Sequence, residues 1–534
     1  MNVLRKSSLW VLGLIILAYI VYASIYIYES SFMVEGQRYF VLFDDAMISM
    51  RYARNLAHGY GLVWNPGGAR VEGFTNPLWV FYMAIFHLFP IDITKISLAL
   101  QISGAVFFIA SLFFVKKIAK ELIPGAVAPL LAVFLTAFYS QLSTWSLLGM
   151  EVSVLILITC IAAWKSLRLL RSQNADPFSP WLYVLLGVST LVRIDMAVVF
   201  LSILIFMTVA DAKNRRKHLI WGISLFLAFI VGQTLLRLWY YGEPLPNTYY
   251  LKVTGAPFFL ILKRGLFVFV KFLWNFNLPL FLLPFAVILL KPNKSTLFLS
   301  FVFFGMCAYS IYVGGDAWES KGGANRFIST VIPLFFVLFA YSLELIRLAL
   351  IDRFDQHRPH IQWLSVAGLA AFAFVGLVNF NALLDTSSLK FWLLLERHPF
   401  IPGSERYVDI SVVLNQITTP EASVAVVTAG IIPYFAERPS IDLLGKSDPV
   451  IAREPMHLSD DLPLIDLRPG HMKWDYAYSI AGLKPDVVAQ IYDGYNNPEN
   501  LKYLTDYTKV EINGLPFFLR NGSPNILWGS IPEN

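Results

Sequence analysis

Two adjacent carboxylates, Asp44 and Asp45, open the first long polar stretch of this chain, just after an apolar segment. On a helix their side chains would project about 100° apart, so we expect them to have different roles. A carboxylate can accept the proton of an attacking hydroxyl group, orient that group or bind a cation. The simplest alternative is that both acids cap the N-terminus of a helix, where backbone N–H groups favour negative charge.

The residues from Asp44 to Ala57 have the apolar spacing of a helix, with Arg51 and Asp44 on the polar face. Such a helix is expected to lie along a membrane surface with its charges at the water boundary. A tight turn around Pro66 follows, and a further acid, Glu72, precedes the next apolar run. This order of acids, bases and turn indicates a reaction or binding site at a membrane interface.

Basic residues in the same loop, or at the predicted outer ends of apolar segments, could bind an anion such as a phosphate group. Arg presents a two-pronged donor to phosphate oxygens, and Lys acts as a point charge. Each alone would more often be an interfacial residue whose stem covers apolar surface, so the prediction depends on the set. The candidates are Arg51, Arg54, Arg193, Lys252 and Arg326.

The composition is that of a polytopic membrane protein. Hydrophobic residues make up 57% of the 534 residues and charged residues only 15%, a balance that excludes an ordinary soluble domain. Clusters of Lys and Arg between the apolar segments are predicted to be cytoplasmic. About eleven spans, an odd number, then place the C-terminal part outside, and the first span is expected to be a retained anchor. The predicted spans are 9–28, 97–115, 124–140, 151–170, 181–192, 196–211, 219–240, 275–290, 296–313, 327–346 and 362–381.

The chain is predicted to divide near residue 385, where the composition changes. Residues 1–384 would form the transmembrane module, with the first loop at 29–96, and residues 385–534 a small extracytoplasmic α/β domain. Apolar runs in the second part have the length of strands and alternate with helical or turn segments. The predicted strands are 423–429, 440–444, 486–491, 509–512 and 516–520.

The string DDA-x-I-x-x-RYARNLA-x-G-x-GLVWNPG, continued by VEG-x-TNPLW, resembles the first extracytoplasmic loop of bacterial GT-C glycosyltransferases. These are integral membrane enzymes that use polyprenyl-phosphate sugars. Within that superfamily the chain is most similar to the branch that holds the mycobacterial terminal arabinofuranosyltransferase and a Legionella membrane protein linked to lipopolysaccharide. Further stretches that match are LLGMEVS, LVRID, PLPNTYYLK, GGD, IDLLGKSDPVIAR and GHMK.

The resemblance implies a fold and a set of site residues. The fold would be the α-helical GT-C membrane fold with a small C-terminal α/β domain. Asp44 would be the catalytic base, and Asp45 would orient the acceptor or hold an ion. The loop containing GHMK would fold over the site. The matched motifs add to the basic residues the substrate-binding candidates Glu72, Asn247, Asp316, His471 and Lys473.

No cofactor is expected, because oxygen ligands for a divalent cation are scattered and no His/Cys cluster suggests zinc. The alternative is a cation held by the acid pair together with Glu151 and Asp316. Both cysteines lie in apolar segments and are predicted to be packing residues. Nucleotide-binding and serine-hydrolase motifs are absent from the sequence.

The sequence therefore favours an inverting glycosyltransferase of the bacterial inner (plasma) membrane, with its site and C-terminal domain on the periplasmic side. The resemblance implies a polyprenyl-phosphate sugar donor, with arabinofuranose the suggested sugar, and a glycan, lipopolysaccharide or protein acceptor. The main alternative is a transporter or flippase of a polyprenyl-linked or other anionic lipid. That reading is less favoured because the charges lie at one membrane face and two matching halves are not evident. A third reading is a non-catalytic membrane scaffold, which leaves the polar motifs without a purpose.

Overall fold

The computed structural model describes residues 2–172, 178–317, 319, 324–352, 359–382, 387–459, 461–492 and 498–531. These residues form two compact units. The first comprises residues 1–28, 101–233 and 261–396, and the second comprises 29–100, 234–260 and 397–534. This division differs from the predicted one, because the first loop and the segment 234–260 group with the C-terminal residues. The predicted boundary at 384/385 itself lies outside the described residues.

Helices make up most of the described chain. In chain order they are α1 (Asn2–Glu29), α2 (Asp44–Ala57), α3 (Pro77–His87), α4 (Ile96–Leu122), α5 (Val127–Ala137), α6 (Ser140–Leu147), α7 (Val152–Arg171), α8 (Trp181–Val192), α9 (Met196–Ala210), α10 (Arg215–Tyr241), α11 (Asn247–Val253), α12 (Phe258–Asn275), α13 (Leu278–Leu290), α14 (Lys294–Tyr312), α15 (Arg326–Ser329), α16 (Ile332–Ile351), α17 (Pro359–Ala382), α18 (Ser387–Trp392), α19 (Ile401–Ile417), α20 (Ile431–Ala436) and α21 (Pro498–Leu501). The strands are β1 (Phe32–Val34), β2 (Gln37–Tyr39), β3 (Val424–Val426), β4 (Ser440–Asp442), β5 (Val487–Val488), β6 (Tyr507–Ile512) and β7 (Leu515–Arg520).

Every predicted span overlaps a helix, but the helices differ in length. By length and composition, seven helices of the described residues can cross a bilayer, namely α1, α4, α7, α10, α14, α16 and α17. The bent pairs α5/α6 and α11/α12 raise that number to nine. At 1.5 Å per residue, α8, α9 and α13 extend only about 18–23 Å, less than a hydrocarbon core of about 30 Å. The chain is thus a helical polytopic membrane protein, with fewer full-length spans than the eleven predicted.

Aromatic side chains fill the core of the first unit. Phe276 stacks on Phe380 with ring centroids 4.3 Å apart, and Phe335 stacks on Phe281 at 5.4 Å. All four lie at the junction of α13, α16 and α17, and each ring pair adds to the apolar area that is buried. This packing joins helices that are distant in sequence into one bundle.

The second unit contains a five-stranded mixed sheet. Its strand order is β4-β3-β5-β7-β6. Strand β3 pairs in parallel with β4 and β5, whereas β7 pairs antiparallel with β5 and β6. All five strands predicted from the sequence are present, although β3, β4 and β5 are shorter than their apolar runs. The loops that follow β3 and β4, at the carboxyl ends of two parallel neighbours, come to the same edge of the sheet, where ligands often bind.

Helix α2 packs in the second unit and is buried on all sides over much of its length. Its residues from Ala46 to Ala53 are all buried, including Arg51 of the predicted polar face, so it does not lie along a surface with its charged face exposed, as the sequence predicted. It packs on α3, and it also contacts α20, which follows strand β3. The first loop and the C-terminal residues therefore share one core, and the N-terminus of α2 faces the start of α20.

The predicted membrane topology can be tested with reporter fusions. Fusions after Lys120 and Lys217 should report the cytoplasm because both residues lie in basic clusters. Fusions after Gly255 and Asn521 should report the opposite side. Activity of alkaline phosphatase, which folds only outside the cytoplasm, and fluorescence of a cytoplasmic reporter provide the paired measurement. A cytoplasmic signal at Asn521 would contradict the predicted extracytoplasmic C-terminal domain.

Candidate active site

Asp44 lies in the first turn of α2, but its carboxylate is bound to a different helix. Its Oδ1 accepts hydrogen bonds from the backbone N–H groups of Gly430 at 3.1 Å and Ile431 at 2.8 Å. The residue that caps α2 is Phe43, which makes no side-chain cap. Asp44 thus satisfies N–H groups at the start of α20. Within the described part of the chain Oδ2 accepts no hydrogen bond, so it remains available to another group.

Gly430 is required by this close approach. A Cβ atom at position 430 would lie 2.0 Å from the carbonyl oxygen of Asp44 and 2.7 Å from its Oδ1. Real side chains do not come that close to backbone atoms, so any larger residue would push α20 away from α2. The sequence Ala429-Gly430 therefore permits the contact that holds the carboxylate.

The surroundings of Asp44 raise its pKa from 3.8 to about 6. Burial is the main cause, because it disfavours the charged carboxylate, and the neighbouring Asp45 adds to the effect. Lys446 and the N–H groups of Ile431 and Gly430 act in the opposite direction and keep the pKa from rising further. A carboxylate with a pKa near 6 is ionised at neutral pH and is a stronger base than an exposed Asp.

Asp45 forms an ion pair with Lys446, a residue that the sequence motifs did not single out as a site residue. The Lys446 Nζ lies 3.1 Å from Asp45 Oδ1, and both side chains are largely buried. Lys446 belongs to the string IDLLGKSDPVIAR, which was noted only for its resemblance. The sequence around Lys446 did contain a signal of a possible site, namely a glycine turn and two nearby acids at positions 442 and 448. Nothing in that sequence indicated that Lys446 would pair with Asp45.

Asn247 holds the loop that carries Lys446. Its side-chain amide donates to the carbonyl oxygens of Gly445 at 2.9 Å, Lys446 at 3.2 Å and Asp448 at 3.0 Å. Asn247 was predicted to bind substrate. In the structure its amide nitrogen binds these carbonyl groups instead, so the residue positions the lysine loop.

His471 and Lys252 lie in the same electrostatic neighbourhood as the acid pair. Burial is the main cause that lowers the pKa of His471 to about 3, and Lys446 and Lys252 act in the same direction. Asp45 opposes them. His471 is therefore neutral at physiological pH and can exchange hydrogen bonds with an uncharged hydroxyl group. Lys252 also packs under Gly470, where an added Cβ would lie 3.3 Å from its side chain.

Glu72 is paired with a residue of the membrane helix α10. Its Oε2 accepts a hydrogen bond from Arg237 Nε at 2.8 Å, and both side chains are buried. Burial raises the pKa of Glu72 to about 7, although Arg237 opposes the rise. Arg237 lies inside the predicted span 219–240 and was not a candidate. The backbone carbonyl of Glu72 also accepts from Asn247 N–H at 3.0 Å, so this pair adjoins the lysine loop.

Arg51 and Arg54 bind protein groups rather than an open site. Arg51 is 2% exposed and donates to the carbonyl oxygens of Trp64, Pro433 and Arg438. Arg54 donates to the carbonyl oxygen of Tyr434 and pairs with a glutamate at 2.8 Å. These contacts occupy Nε and both terminal nitrogens of Arg51, whereas those of Arg54 use Nη1 alone. Both residues join the first loop to the segment after β3. Arg51 is therefore removed from the phosphate candidates, and the role of Arg54 stays a prediction.

Lys473 is also a structural residue. Its side chain is fully buried, and Nζ donates to the carbonyl oxygens of Tyr250 at 3.0 Å and Ala452 at 2.8 Å and to the Thr254 hydroxyl at 3.2 Å. An ammonium group has three N–H donors, and here all three have acceptors. Lys473 therefore anchors its loop to α11, and the prediction that it binds substrate is not supported.

In the first unit, Arg193 is neutralised by two buried carboxylates. Its guanidinium makes a two-pronged contact with Asp195, at 2.6 and 2.8 Å, and a further bond to Glu151 at 2.8 Å. Arg193 also donates to the carbonyl oxygen of Arg326 at 3.3 Å. The cluster of two carboxylates and one guanidinium has a net negative charge, which disfavours binding of a phosphate.

Asp316 and Arg326 form a second buried pair in the same unit. The Arg326 Nε and one terminal nitrogen lie 2.6 and 2.7 Å from the two carboxylate oxygens of Asp316. Arg264 donates to the carbonyl oxygens of Gly314 and Asp316 and pairs with Glu319. The contacts of Asp316 and Arg326 therefore fit a structural ion pair better than substrate ligands. Of the stretch Gly322-Gly323-Ala324-Asn325 that precedes Arg326, residues 322–323 lie outside the described residues.

Among the described residues, no three His, Cys, Asp or Glu side chains converge in a way that could hold a metal ion. The structure brings together Asp44, Asp45, Lys446, His471 and Lys252 in the second unit. Of the predicted set, Asn247 holds the loop of Lys446.

Comparison with known proteins identifies the fold. Residues 400–525 match a family described as a domain of unknown function, DUF8728. Among curated protein sequences none matches the chain. Two structures of ArnT from Cupriavidus metallidurans, one bound to undecaprenyl phosphate and one apo, align with TM-scores of 0.56 and 0.58 at 12% and 13% identity. They cover 97% and 98% of this chain and 99% of their own.

A second protein with a similar structure is the oligosaccharyltransferase AglB from Archaeoglobus fulgidus. Its complex with an inhibitory peptide and a dolichol-phosphate aligns with a TM-score of 0.52 at 13% identity. The alignment covers 82% of this chain and 64% of AglB, so less than two thirds of AglB has a counterpart here. Together with the ArnT alignment over nearly the whole length, this places the chain in the GT-C fold.

Proposed function

We propose that this protein is an inverting glycosyltransferase that moves a sugar from a polyprenyl-phosphate donor to an acceptor hydroxyl group. The observation that carries the proposal is the carboxylate of Asp44. It is fixed by two backbone N–H groups, has a pKa of about 6, and leaves one oxygen available. A base of this strength suits removal of a hydroxyl proton at neutral pH.

In the proposed reaction the acceptor oxygen attacks the anomeric carbon while the bond from that carbon to the phosphate oxygen breaks. The hydroxyl proton passes to Asp44 Oδ2, and the polyprenyl phosphate leaves with the electron pair of the broken bond. A single displacement from the opposite face inverts the anomeric configuration. The developing negative charge on the phosphate needs a nearby cation. Of the predicted cations, we propose Lys252 for this role, because its charge acts on His471, on which Asp45 also acts, and because it packs against Gly470.

The donor class is supported by ligands of proteins with the same fold. One ArnT structure is bound to undecaprenyl phosphate, and one AglB structure contains dolichol-phosphate and a peptide. We infer a polyprenyl-phosphate donor and a glycan, lipopolysaccharide or protein acceptor for this chain by analogy of fold. Arabinofuranose as the sugar depends on the motif resemblance alone. We place the reaction at the periplasmic side of a bacterial inner membrane.

The proposal is tested with purified protein in liposomes that contain polyprenyl-phosphate arabinofuranose or other polyprenyl-phosphate sugars. The expected result is release of polyprenyl phosphate and appearance of a glycoside with inverted anomeric configuration, measured by mass spectrometry and NMR. The matched control is Asp44→Asn in the same liposomes. If the intact donor crosses the bilayer, and no glycoside forms with any of the donors or with any added glycan, lipopolysaccharide or protein acceptor, the transporter alternative replaces this proposal.

A further inference from the structure

We infer that Lys446 is a positioning residue of the acid pair. It fixes Asp45 by direct contact and keeps a positive charge beside Asp44, so that the C-terminal residues complete the reaction site. This inference rests on the proposed function and assigns a role to a residue that neither the motifs nor the fold comparison identified.

The contact between Lys446 and Asp45 is the first support. The Nζ–Oδ1 distance is 3.1 Å, and Lys446 is 8% exposed. A buried ammonium group is costly unless it is paired, because it has lost its hydration. The acid pair supplies the compensating charge, so Lys446 has a strong reason to stay in place.

The rigidity of its loop is the second support. Asn247 binds the carbonyl oxygens of residues 445, 446 and 448, as described above. From inside the loop, the buried carboxylate of Asp442 accepts from the N–H groups of Leu444 at 3.0 Å and Ser447 at 2.7 Å. The backbone on both sides of Lys446 is thus held before any substrate binds, which is what positioning requires.

Gly445 allows the turn that directs the lysine. It has a φ of +78°, and a Cβ there would lie 2.9 Å from the backbone nitrogen of Ala452. A residue with a side chain is therefore disfavoured both by conformation and by space. The Gly445-Lys446 pair acts as a unit in which glycine makes the turn and lysine provides the charge.

The charged and titratable groups that face this lysine come from several elements. Asp44 and Asp45 lie on α2, Asp442 ends β4, and all three carboxylates act on Lys446. Lys446 also acts on Tyr407 of α19 and on His471. Two further cations act on these neighbours: Arg406 on Tyr407, and Lys252 of α11 on His471. His471 is neutral at physiological pH, whereas Lys446 is a cation in direct contact with Asp45 of the acid pair.

Removing this charge should change the pH dependence of the reaction. Lys446 lowers the pKa of Asp44 more than any other neighbouring group does, and a nearby opposite charge lowers the pKa of a carboxyl by roughly one to three units. Lys446→Met should therefore shift the acidic limb of the kcat/KM profile to higher pH by roughly one unit or more. Near pH 9, where Asp44 is ionised in both proteins, the rate should return to within a few fold of wild type. In Lys446→Arg the acidic limb of the kcat/KM profile should stay at the wild-type pH, because the positive charge is retained.

Two lysine controls separate positioning from a structural effect. Lys509→Met removes an exposed lysine of β6 and should change neither rate nor pH profile. Lys473→Met removes a buried lysine that contacts carbonyl and hydroxyl groups, so it should lower Tm without moving the acidic limb. An unmoved limb in Lys446→Met, or an equal loss of rate at every pH, would overturn the inference.

A second readout does not depend on activity. Carbodiimides react with protonated carboxyl groups, so coupling of an amine to Asp44, followed by peptide mass spectrometry, reports its protonation as a function of pH. Labelling of Asp44 should decrease as the pH rises through about 6 in the wild type, and the same decrease should occur at a higher pH in Lys446→Met. Coincident curves would refute the role of Lys446 even if transfer is observed. An inactive wild type whose curves separate as expected would refute the proposed function alone.

Discussion

Replacing Asp44 by Asn is expected to abolish sugar transfer while making the folded protein more stable above pH 6. Asn has the size of Asp and can still accept the N–H groups of Gly430 and Ile431 through its amide oxygen, but it cannot accept a proton. Loss of a general base costs roughly 10²–10⁴-fold in rate. Single-turnover transfer at saturating donor measures this loss separately from donor binding.

The gain in stability follows from the raised pKa of Asp44. In the folded protein the pKa is about 6, against an ordinary value of 3.8. Between these values the folded state binds more protons than the unfolded state, so stability falls as pH rises from about 4 to 6. Above pH 6 the full cost is present, and at about 1.4 kcal/mol per pKa unit it is at most about 3 kcal/mol. The Tm of Asp44→Asn in detergent should exceed that of the wild type at pH 8 and approach it at pH 4.

Asp45→Asn is the matched control, because it leaves Lys446 without its partner and Asp44 intact. It should lose stability rather than gain it, and it should retain measurable transfer. An active Asp44→Asn together with a dead Asp45→Asn would mean that the two roles are exchanged. Activity in both variants would contradict the proposed mechanism.

The sequence predicted the helices and strands well because hydropathy and strand-length apolar runs are local properties. All predicted spans overlap helices, and the five strands of the C-terminal sheet are present. The number of full-length spans differs from the eleven predicted because short apolar segments were counted as spans, among them 181–192, which has only 12 residues in both the prediction and the structure. The division into units also escaped the sequence, since it depends on contacts between residues about 380 positions apart, such as Asp44 and Gly430.

The acid pair could be singled out from the sequence because two carboxylates after an apolar segment are unusual. The cations that pair with the carboxylates could not be predicted. Lys446 meets Asp45, and Arg237 meets Glu72, only in the folded chain. Charged residues at the ends of spans present the opposite problem. Arg193 and Arg326 have the same sequence context whether they bind a phosphate or a buried carboxylate, and only the structure shows that carboxylates are bound.

Removing the charge of Arg326 alone is expected to cause the second largest effect, a loss of folded protein. Arg326 makes a two-pronged contact with Asp316, whose side chain is 3% exposed. Breaking a buried pair on one side leaves an uncompensated charge and costs about 3–5 kcal/mol. Arg326→Leu should therefore lower Tm and the yield of folded protein sharply, whether or not the residue also contacts substrate.

The double variant Arg326→Leu/Asp316→Asn distinguishes a structural pair from a phosphate ligand. It removes both charges, and the introduced asparagine side chain can still accept the N–H of Ala317, as the carboxylate of Asp316 does at 2.8 Å. If the pair is structural, the double variant should regain Tm and transfer, since replacing both partners of a buried pair is often neutral. Lys390→Leu, which breaks an exposed pair with Glu396, should change neither quantity. A double variant that folds and binds donor, yet transfers sugar as slowly as Asp44→Asn in single-turnover measurements, would return Arg326 to the phosphate ligands and contradict the structural role inferred from its contacts.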